Sequence, residues 1–135
     1  MDQDTKARQV LELALADQKK LEQQTPQDDP APPRIKGQML AMLGHEQEAH
    51  AAFLDAIQKD RARLERVNDP GTEARVRWSL GQTLLAMGDY EAGSQQLSRA
   101  RALGPPSTRH LIDQWERDNL IFLNDALAKN RGFRK

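Results

Sequence analysis

The three histidines are the residues best able to bind a metal ion. His45 and His50 are five positions apart, a spacing that places two side chains imperfectly on one helical face. His45 falls in a predicted turn and His50 in the first turns of the helix that follows. We therefore expect no metal site.

Two pairs of carboxylates are the remaining candidates for catalysis: Asp28 with Asp29, and Glu46 with Glu48. General acid and base catalysis needs two groups that face one desolvated pocket, whereas these pairs fall in a proline-rich segment and at a helix start. Carboxylates are common at helix starts because they favour the positive end of the helix dipole. The chain also has no glycine-rich phosphate loop and no Gly-x-Ser-x-Gly motif. The sequence predicts no enzymatic activity and no cofactor.

The composition predicts a single all-α domain. The chain has 135 residues, 38% of them hydrophobic, which is enough for a modest core. Residues that favour helices, such as Ala, Leu, Gln, Glu and Arg, are abundant, and aromatic residues are few. Twenty basic and twenty acidic residues cancel, so no overall field favours nucleic acid or an anionic membrane.

The chain contains no cysteine, which excludes disulfides and thiolate metal sites and fits a reducing compartment. The N-terminus lacks the apolar core of a signal peptide, and no stretch approaches the roughly eighteen apolar residues that a membrane span requires. We therefore expect a cytoplasmic location and no membrane partner.

An amphipathic helix is predicted for residues 1–24, where one face carries Ala7, Leu11, Ala14 and Leu21. A proline-rich linker, residues 25–33, follows it because the prolines remove backbone donors and disfavour helix in the residues before them. The helix is either a free arm or docked on the rest of the chain. Docking is favoured because it would cover an exposed edge.

From Pro33 onward the sequence matches itself at an offset of 44 residues, with small residues on small and large apolar on large. The aligned pairs are Gly37 with Gly81, Gln38 with Gln82, Leu40 with Leu84, Gly44 with Gly88, Ala49 with Gly93, Phe53 with Leu97 and Ala56 with Ala100. This pattern predicts a pair of antiparallel helices that occurs twice, in residues 33–67 and 71–105. Gly88 is expected to end a helix and Asp89 to cap the next.

The segment LGQTLLAMGDYEAGSQQLSRARALGPP resembles a tetratricopeptide repeat (TPR), through its Leu80-Gly81 pair, its Gly88-Asp89-Tyr90 turn, and Gly93, Ala100 and Pro105. The first copy departs from the family pattern at Lys36 and Glu46. The resemblance implies a right-handed stack of two helix pairs and a scaffold or adaptor function.

The offset exceeds the usual repeat length of about 34 residues. We expect the second helix of the first copy to continue to about Arg66, before Asn68-Asp69-Pro70-Gly71 breaks it. Lengthened repeats of this kind are similar to those of kinesin light chains and some bacterial regulators. Residues 107–130 are predicted to form a closing helix that shields the last repeat, and residues 131–135 a basic tail.

The resemblance also implies a groove that binds a protein or peptide partner. The family's groove positions fall on Arg34, Gln38 and Ala41 in the first copy and on Arg75, Trp78, Gln82 and Leu85 in the second. Arg75, Gln82 and Arg109 could hydrogen-bond an acidic or extended peptide. Trp78 is either the aromatic anchor of the groove or a core residue under the closing helix, packed near Ile112.

Three alternatives concern the partner. A groove that clamps a chaperone's terminal carboxylate is disfavoured, since Trp78 and Gln82 replace the Lys and Asn that such grooves use. Nucleic acid is disfavoured because acidic residues alternate with the arginines, namely Asp55, Asp60, Glu65, Asp69 and Glu73 among Arg61, Arg63, Arg66, Arg75 and Arg77. The third alternative is a self-assembling or regulatory domain of a larger protein, for example a homo-oligomer in which residues 7–21 or the closing helix pack between copies, because two repeats are fewer than a stable array usually needs.

Overall fold

The computed structural model of this protein describes residues 3–24 and 29–119, which form six α-helices and no strand. The helices are α1 (Gln3–Gln24), α2 (Ala31–Met42), α3 (Glu46–Arg66), α4 (Pro70–Ala86), α5 (Tyr90–Leu103) and α6 (Pro106–Asp118). The predicted all-α class is confirmed. No helix among these residues is long and apolar enough to cross a membrane. The chain divides within α3, between residues 59 and 60, into two compact units, which are described separately.

In the first unit α1 is docked on α2. The docked face matches the predicted one only in part: Leu15 and Gln18 are buried and the predicted Leu11 and Ala14 are half-buried, whereas Ala7 and Leu21 are exposed. The two helices are joined by polar contacts as well as apolar ones. Gln18 Nε2 donates to the carbonyl of Pro32 at 3.4 Å, and the Lys36 ammonium lies 2.8 Å from a Glu22 carboxylate oxygen. The Arg8 guanidinium also donates to the Leu43 carbonyl at 2.8 Å, beyond the end of α2.

The predicted linker, residues 25–33, is too long at its C-terminal end. Helix α2 begins at Ala31 and includes Pro32 and Pro33 in its first turn. Proline is tolerated there because the first N–H groups of a helix have no intrahelical acceptor and the fixed φ of proline suits a helix start. Asp29 accepts a hydrogen bond from the Ala31 N–H at 3.0 Å. Residues 25–28 lie outside the described part of the chain.

The turns that join α2 to α3 and α4 to α5 have the same hydrogen bonds at an offset of 44 residues. Each contains a glycine with positive φ, Gly44 at 84° and Gly88 at 93°. In each, the glycine N–H bonds the carbonyl three residues earlier, and the next N–H bonds the carbonyl five residues before it. These bonds are Gly44 N to Ala41 O, His45 N to Leu40 O, Gly88 N to Leu85 O and Asp89 N to Leu84 O. This pattern is a Schellman motif, which satisfies the last carbonyls of a helix.

Helices α4 and α5 approach each other closely at two glycines. A Cβ atom on Gly81 would lie 3.1 Å from the carbonyl oxygen of Gly93, and one on Gly93 would lie 3.1 Å from that of Gly81 and 2.8 Å from Leu85 Cγ. In the first unit, a Cβ on Gly37 would lie 2.7 Å from the Phe53 ring. These glycines therefore set the spacing within each helix pair.

Helix α3 continues to Arg66, as the sequence predicted, and its last turns belong to the second unit. Asp60, treated above as a surface acid that offsets the arginines, is fully buried and accepts a hydrogen bond from Ser79 Oγ at 2.9 Å. A buried carboxylate needs such bonds because it has lost its hydration. Asp60 therefore links α3 to α4.

Helix α6 packs on α4 and α5 and ends at Asp118. The prediction of one helix over residues 107–130 is corrected at Asn119, whose side-chain Nδ2 donates to the Trp115 carbonyl at 2.8 Å and so competes with helix continuation. Residues 120–130 and the predicted basic tail, residues 131–135, lie outside the described residues. Arg101 joins α5 to α6. Its Nε lies 3.1 Å from Asp113, and its guanidinium forms an ion pair with Glu116.

We predict that Gly93→Ala destabilises the protein by about 1–3 kcal/mol, because the new methyl group must displace Leu85 or separate the backbones of α4 and α5. Gly71→Ala is the matched control in α4. Its methyl group would lie 3.6 Å from Asp69 Oδ2, an ordinary contact, and should stabilise the helix by about 0.5 kcal/mol. Urea unfolding followed by circular dichroism measures both. Equal effects of the two substitutions would contradict the role of Gly93.

We also predict that Asp69 makes a pH-dependent contribution to folding stability. Its carboxylate accepts a hydrogen bond from the Thr72 N–H at 2.8 Å and caps α4. This bond lowers the pKa of Asp69 below its ordinary value of 3.8. The capping stabilisation is therefore complete above that ordinary value and is lost as the pH falls through the lowered pKa. Asp69→Ala should lower the melting temperature at pH 7, with the difference from wild type shrinking toward about pH 2. Asp69→Asn keeps a neutral cap, so its melting temperature relative to Asp69→Ala should be higher at both pH values.

Candidate functional site

The predicted groove of the second copy is only partly accessible. Leu85, predicted to line it, is 1% exposed and belongs to an apolar cluster with Leu97, Ala100 and Ile112. The prediction that Leu85 lines an accessible groove was wrong because its side chain packs against Gly93 of α5, in a cluster that also contains the fully buried Ile112 of α6. Helix α4 is thus a central helix, buried on more than one side.

Trp78 is partly buried and packs against the same cluster, as Tyr90 and Trp115 also do. The geometry therefore favours the core interpretation of Trp78 over the groove anchor. Its indole Nε1 is buried, and no acceptor for it occurs among the residues that the structure describes. A buried donor without an acceptor costs roughly 1–3 kcal/mol, so apolar packing of the ring must outweigh that cost.

Three predicted groove residues of the second unit remain accessible. Arg75 and Arg109 are exposed and Gln82 is half-buried. They lie on α4 and α6, which pack against each other. The guanidinium groups offer donors to an acidic segment, although exposed arginines contribute little affinity individually.

The predicted groove residues of the first copy all lie on α2. Gln38 and Ala41 are exposed, and Arg34 is half-buried. None of the three lines the cleft of the first unit. The sequence did not predict this cleft.

This cleft has a volume of about 420 Å³ and is formed by α1, α2 and α3. Its apolar lining is Leu40 of α2 with Ala51 and Ala52 of α3, of which Leu40 and Ala52 are buried and Ala51 is exposed. The volume falls in the range of about 300–1,000 Å³ that is usual for ligand-binding clefts. The cleft can therefore hold a small molecule or one to three side chains of a peptide.

Charges of both signs line the cleft. Lys19 of α1 and Lys36 of α2 are basic, whereas Glu48 and Asp55 of α3 are acidic. Two of these charges are already paired, Lys36 with Glu22 at 2.8 Å and Asp55 with Lys59 at 3.2 Å.

Lys19 and Glu48 are exposed, so they are the cleft charges more accessible to a ligand. The pair that Glu48 makes with His45 Nδ1 is weak, because the two atoms are 3.8 Å apart. A ligand that carries both charges is complementary to this arrangement.

The described residues contain no group of three His, Asp or Glu side chains that could hold a metal ion. His45 and His50 are both exposed. The cleft residues are charged or small apolar types that recur throughout the chain, so their convergence depends on the docking of α1, which periodicity alone did not define.

We predict that Trp78→Ala destabilises the protein by about 2–4 kcal/mol, because it leaves a cavity beside Leu85 and Ile112. Trp78→Phe keeps most of the packing and removes the buried donor, so its stability should stay within about 1 kcal/mol of wild type. Leu111→Ala, an exposed position on α6, is the control and should change stability by less than about 0.5 kcal/mol. Chemical denaturation measures all three. Full stability of Trp78→Ala would contradict a core role and restore the groove anchor.

Comparison of the chain with protein-family models, with curated proteins and with solved structures gave no match. The functional interpretation therefore depends on the geometry and chemistry of the surfaces described above.

Proposed function

We propose that this protein is a non-enzymatic interaction scaffold built from two TPR-like helix pairs, and that it binds a short peptide segment of a protein partner. The observation that carries the proposal is the cleft of about 420 Å³ between α1, α2 and α3, with its apolar lining and its opposite charges. Catalysis would require a cluster of reactive groups, whereas this lining offers shape, apolar surface and charge.

Two observations support the TPR-like architecture. The α2–α3 and α4–α5 turns have equivalent hydrogen bonds at an offset of 44 residues. The Leu80-Gly81 pair lies where α4 meets α5, with the Gly81 backbone close to that of Gly93. Both features depend on residues that carry the resemblance to the family.

A peptide fits the cleft better than a small polar metabolite does. Leu40 and Ala52 offer a buried apolar floor for one side chain, and the other residues of the lining are half-buried or exposed. Lys19 and Glu48 can then contact backbone or charged groups on either side of that side chain. The expected ligand is an extended segment with a central apolar residue flanked by charges of opposite sign.

Nucleic acid is a weaker candidate partner. Arg77 is held by Glu73 at 2.7 Å and by Gln96 at 2.9 Å. Exposed Arg75 has the Asp69 carboxylate as an electrostatic neighbour. Fixed acidic neighbours reduce the phosphate affinity of an arginine, so these residues favour a protein surface.

We predict that the cleft can be blocked by Ala51→Trp, because Ala51 is exposed at its edge and a large side chain there need not disturb the core. Peptides selected from a random phage library on wild type should lose at least about tenfold in affinity, or 1.4 kcal/mol, for this variant. Fluorescence anisotropy with labelled peptides measures the dissociation constants.

Ala41→Trp is the matched control, an exposed alanine of α2 that does not line the cleft. It should bind the same peptides within about twofold of wild type. Loss of binding in Ala41→Trp alone would move the site to the outer face of α2 and reject the cleft. Failure to select any peptide would count against the proposed function.

A further inference from the structure

Helix α1 has an outward face that nothing in its docking uses. Lys6, Val10, Leu13 and Asp17 follow one another at spacings of four, three and four residues, which places them along one helical face. All four are exposed, and Val10 and Leu13 retain 64% and 68% of their accessible surface. The face is therefore an apolar pair with one charge of each sign at its ends.

This face is complementary to itself when one copy is turned end to end. The spacing four, three, four is the same in both directions. In an antiparallel pair, the alignment that places Val10 opposite Leu13 of a second copy also places Lys6 opposite Asp17 of that copy. Because the arrangement is two-fold symmetric, each contact occurs twice, giving two apolar pairs and two ion pairs.

Other alignments are less favourable. A parallel pair in register would bring Lys6 against Lys6 and Asp17 against Asp17. An antiparallel pair shifted by one heptad would place Leu13 opposite Asp17 and Val10 opposite Lys20. The parallel pair opposes like charges, and the shifted antiparallel pair places charges against apolar side chains, so both alignments are disfavoured.

We propose that α1 is a self-association surface, through which two copies of this protein pair antiparallel with Val10 against Leu13 and Lys6 against Asp17. The charge complementarity selects a second copy as the occupant. Neither Lys6 nor Asp17 has an ion pair within the part of the chain that the structure describes, so pairing breaks no described bridge. The α1 surface does not overlap the proposed peptide cleft, because Lys6, Val10, Leu13 and Asp17 do not line it.

The expected dimer is weak. One helix face is a small interface, at or below the roughly 1,200 Å² of transient complexes, so association should become measurable at tens of micromolar, roughly. Its ion pairs are exposed, and added salt should weaken it.

Sedimentation velocity of the full chain at low salt tests the proposal, with concentrations from about 5 to 300 μM. Wild type should show a reversible monomer–dimer equilibrium. Lys6→Asp and Asp17→Lys should each weaken the dimer at least about tenfold, because each places like charges opposite one another twice. An equimolar mixture of the two variants should dimerise again, since every contact between them joins opposite charges.

Glu12→Lys on α1 and Arg61→Asp on α3 are matched controls, which make the same charge changes at exposed positions outside this face and outside the cleft, and they should dimerise like wild type. Circular dichroism confirms that each variant remains folded. Wild type that stays monomeric throughout would overturn the proposal and leave the face to a different partner. A mixture that stays monomeric, or controls that weaken association as strongly, would also overturn it.

Discussion

The close approach of α4 and α5 at Gly81 and Gly93 is the constraint on which the second unit depends. With no Cβ on either residue, the two backbones come near enough that a methyl group on one would lie 3.1 Å from the carbonyl oxygen of the other. This spacing brings Leu85 and Leu97 into one cluster with Ala100, and Ile112 of α6 completes it. A wider spacing would open a void at this cluster, and close packing of protein interiors makes such voids costly.

The first unit meets the same requirement with different residues. Ala49 stands at the position of Gly93, and the ring of Phe53 fills the space that Gly37 leaves. Both Ala49 and Phe53 are buried. The pair of α2 and α3 is thus spaced by an aromatic ring against a glycine, whereas α4 and α5 are spaced by two facing glycines.

Features determined by one local interaction were predictable from the sequence, and features that need a third element were not. Gly44 and Gly88 identify the turns because a positive φ at a helix end favours glycine. Leu85 is buried against Gly93 of α5 and in a cluster that includes Ile112 of α6, and no periodicity within α4 reports these neighbours. Helix α1 has apolar residues on several sides, so its docked face at Leu15 and Gln18 could not be distinguished from the face at Ala7 and Leu21.

The same difference applies to the candidate sites. Arg75 and Gln82 were predicted from the resemblance and Arg109 from its hydrogen-bond donors, and all three are at least partly accessible. The cleft was missed because Lys19, Lys36 and Glu48 come from three helices whose contacts arise only in the folded chain.

Docking of α1 connects the two proposed surfaces. Lys19 lines the cleft, while Val10 and Leu13 on another face of the same helix are exposed to a second copy. The described bonds that hold α1 include Gln18 to Pro32 and Lys36 to Glu22. A ligand that binds only the docked form stabilises that form by mass action. A peptide in the cleft and a second copy on the outer face, if both require docked α1, must therefore strengthen each other's binding by the same factor.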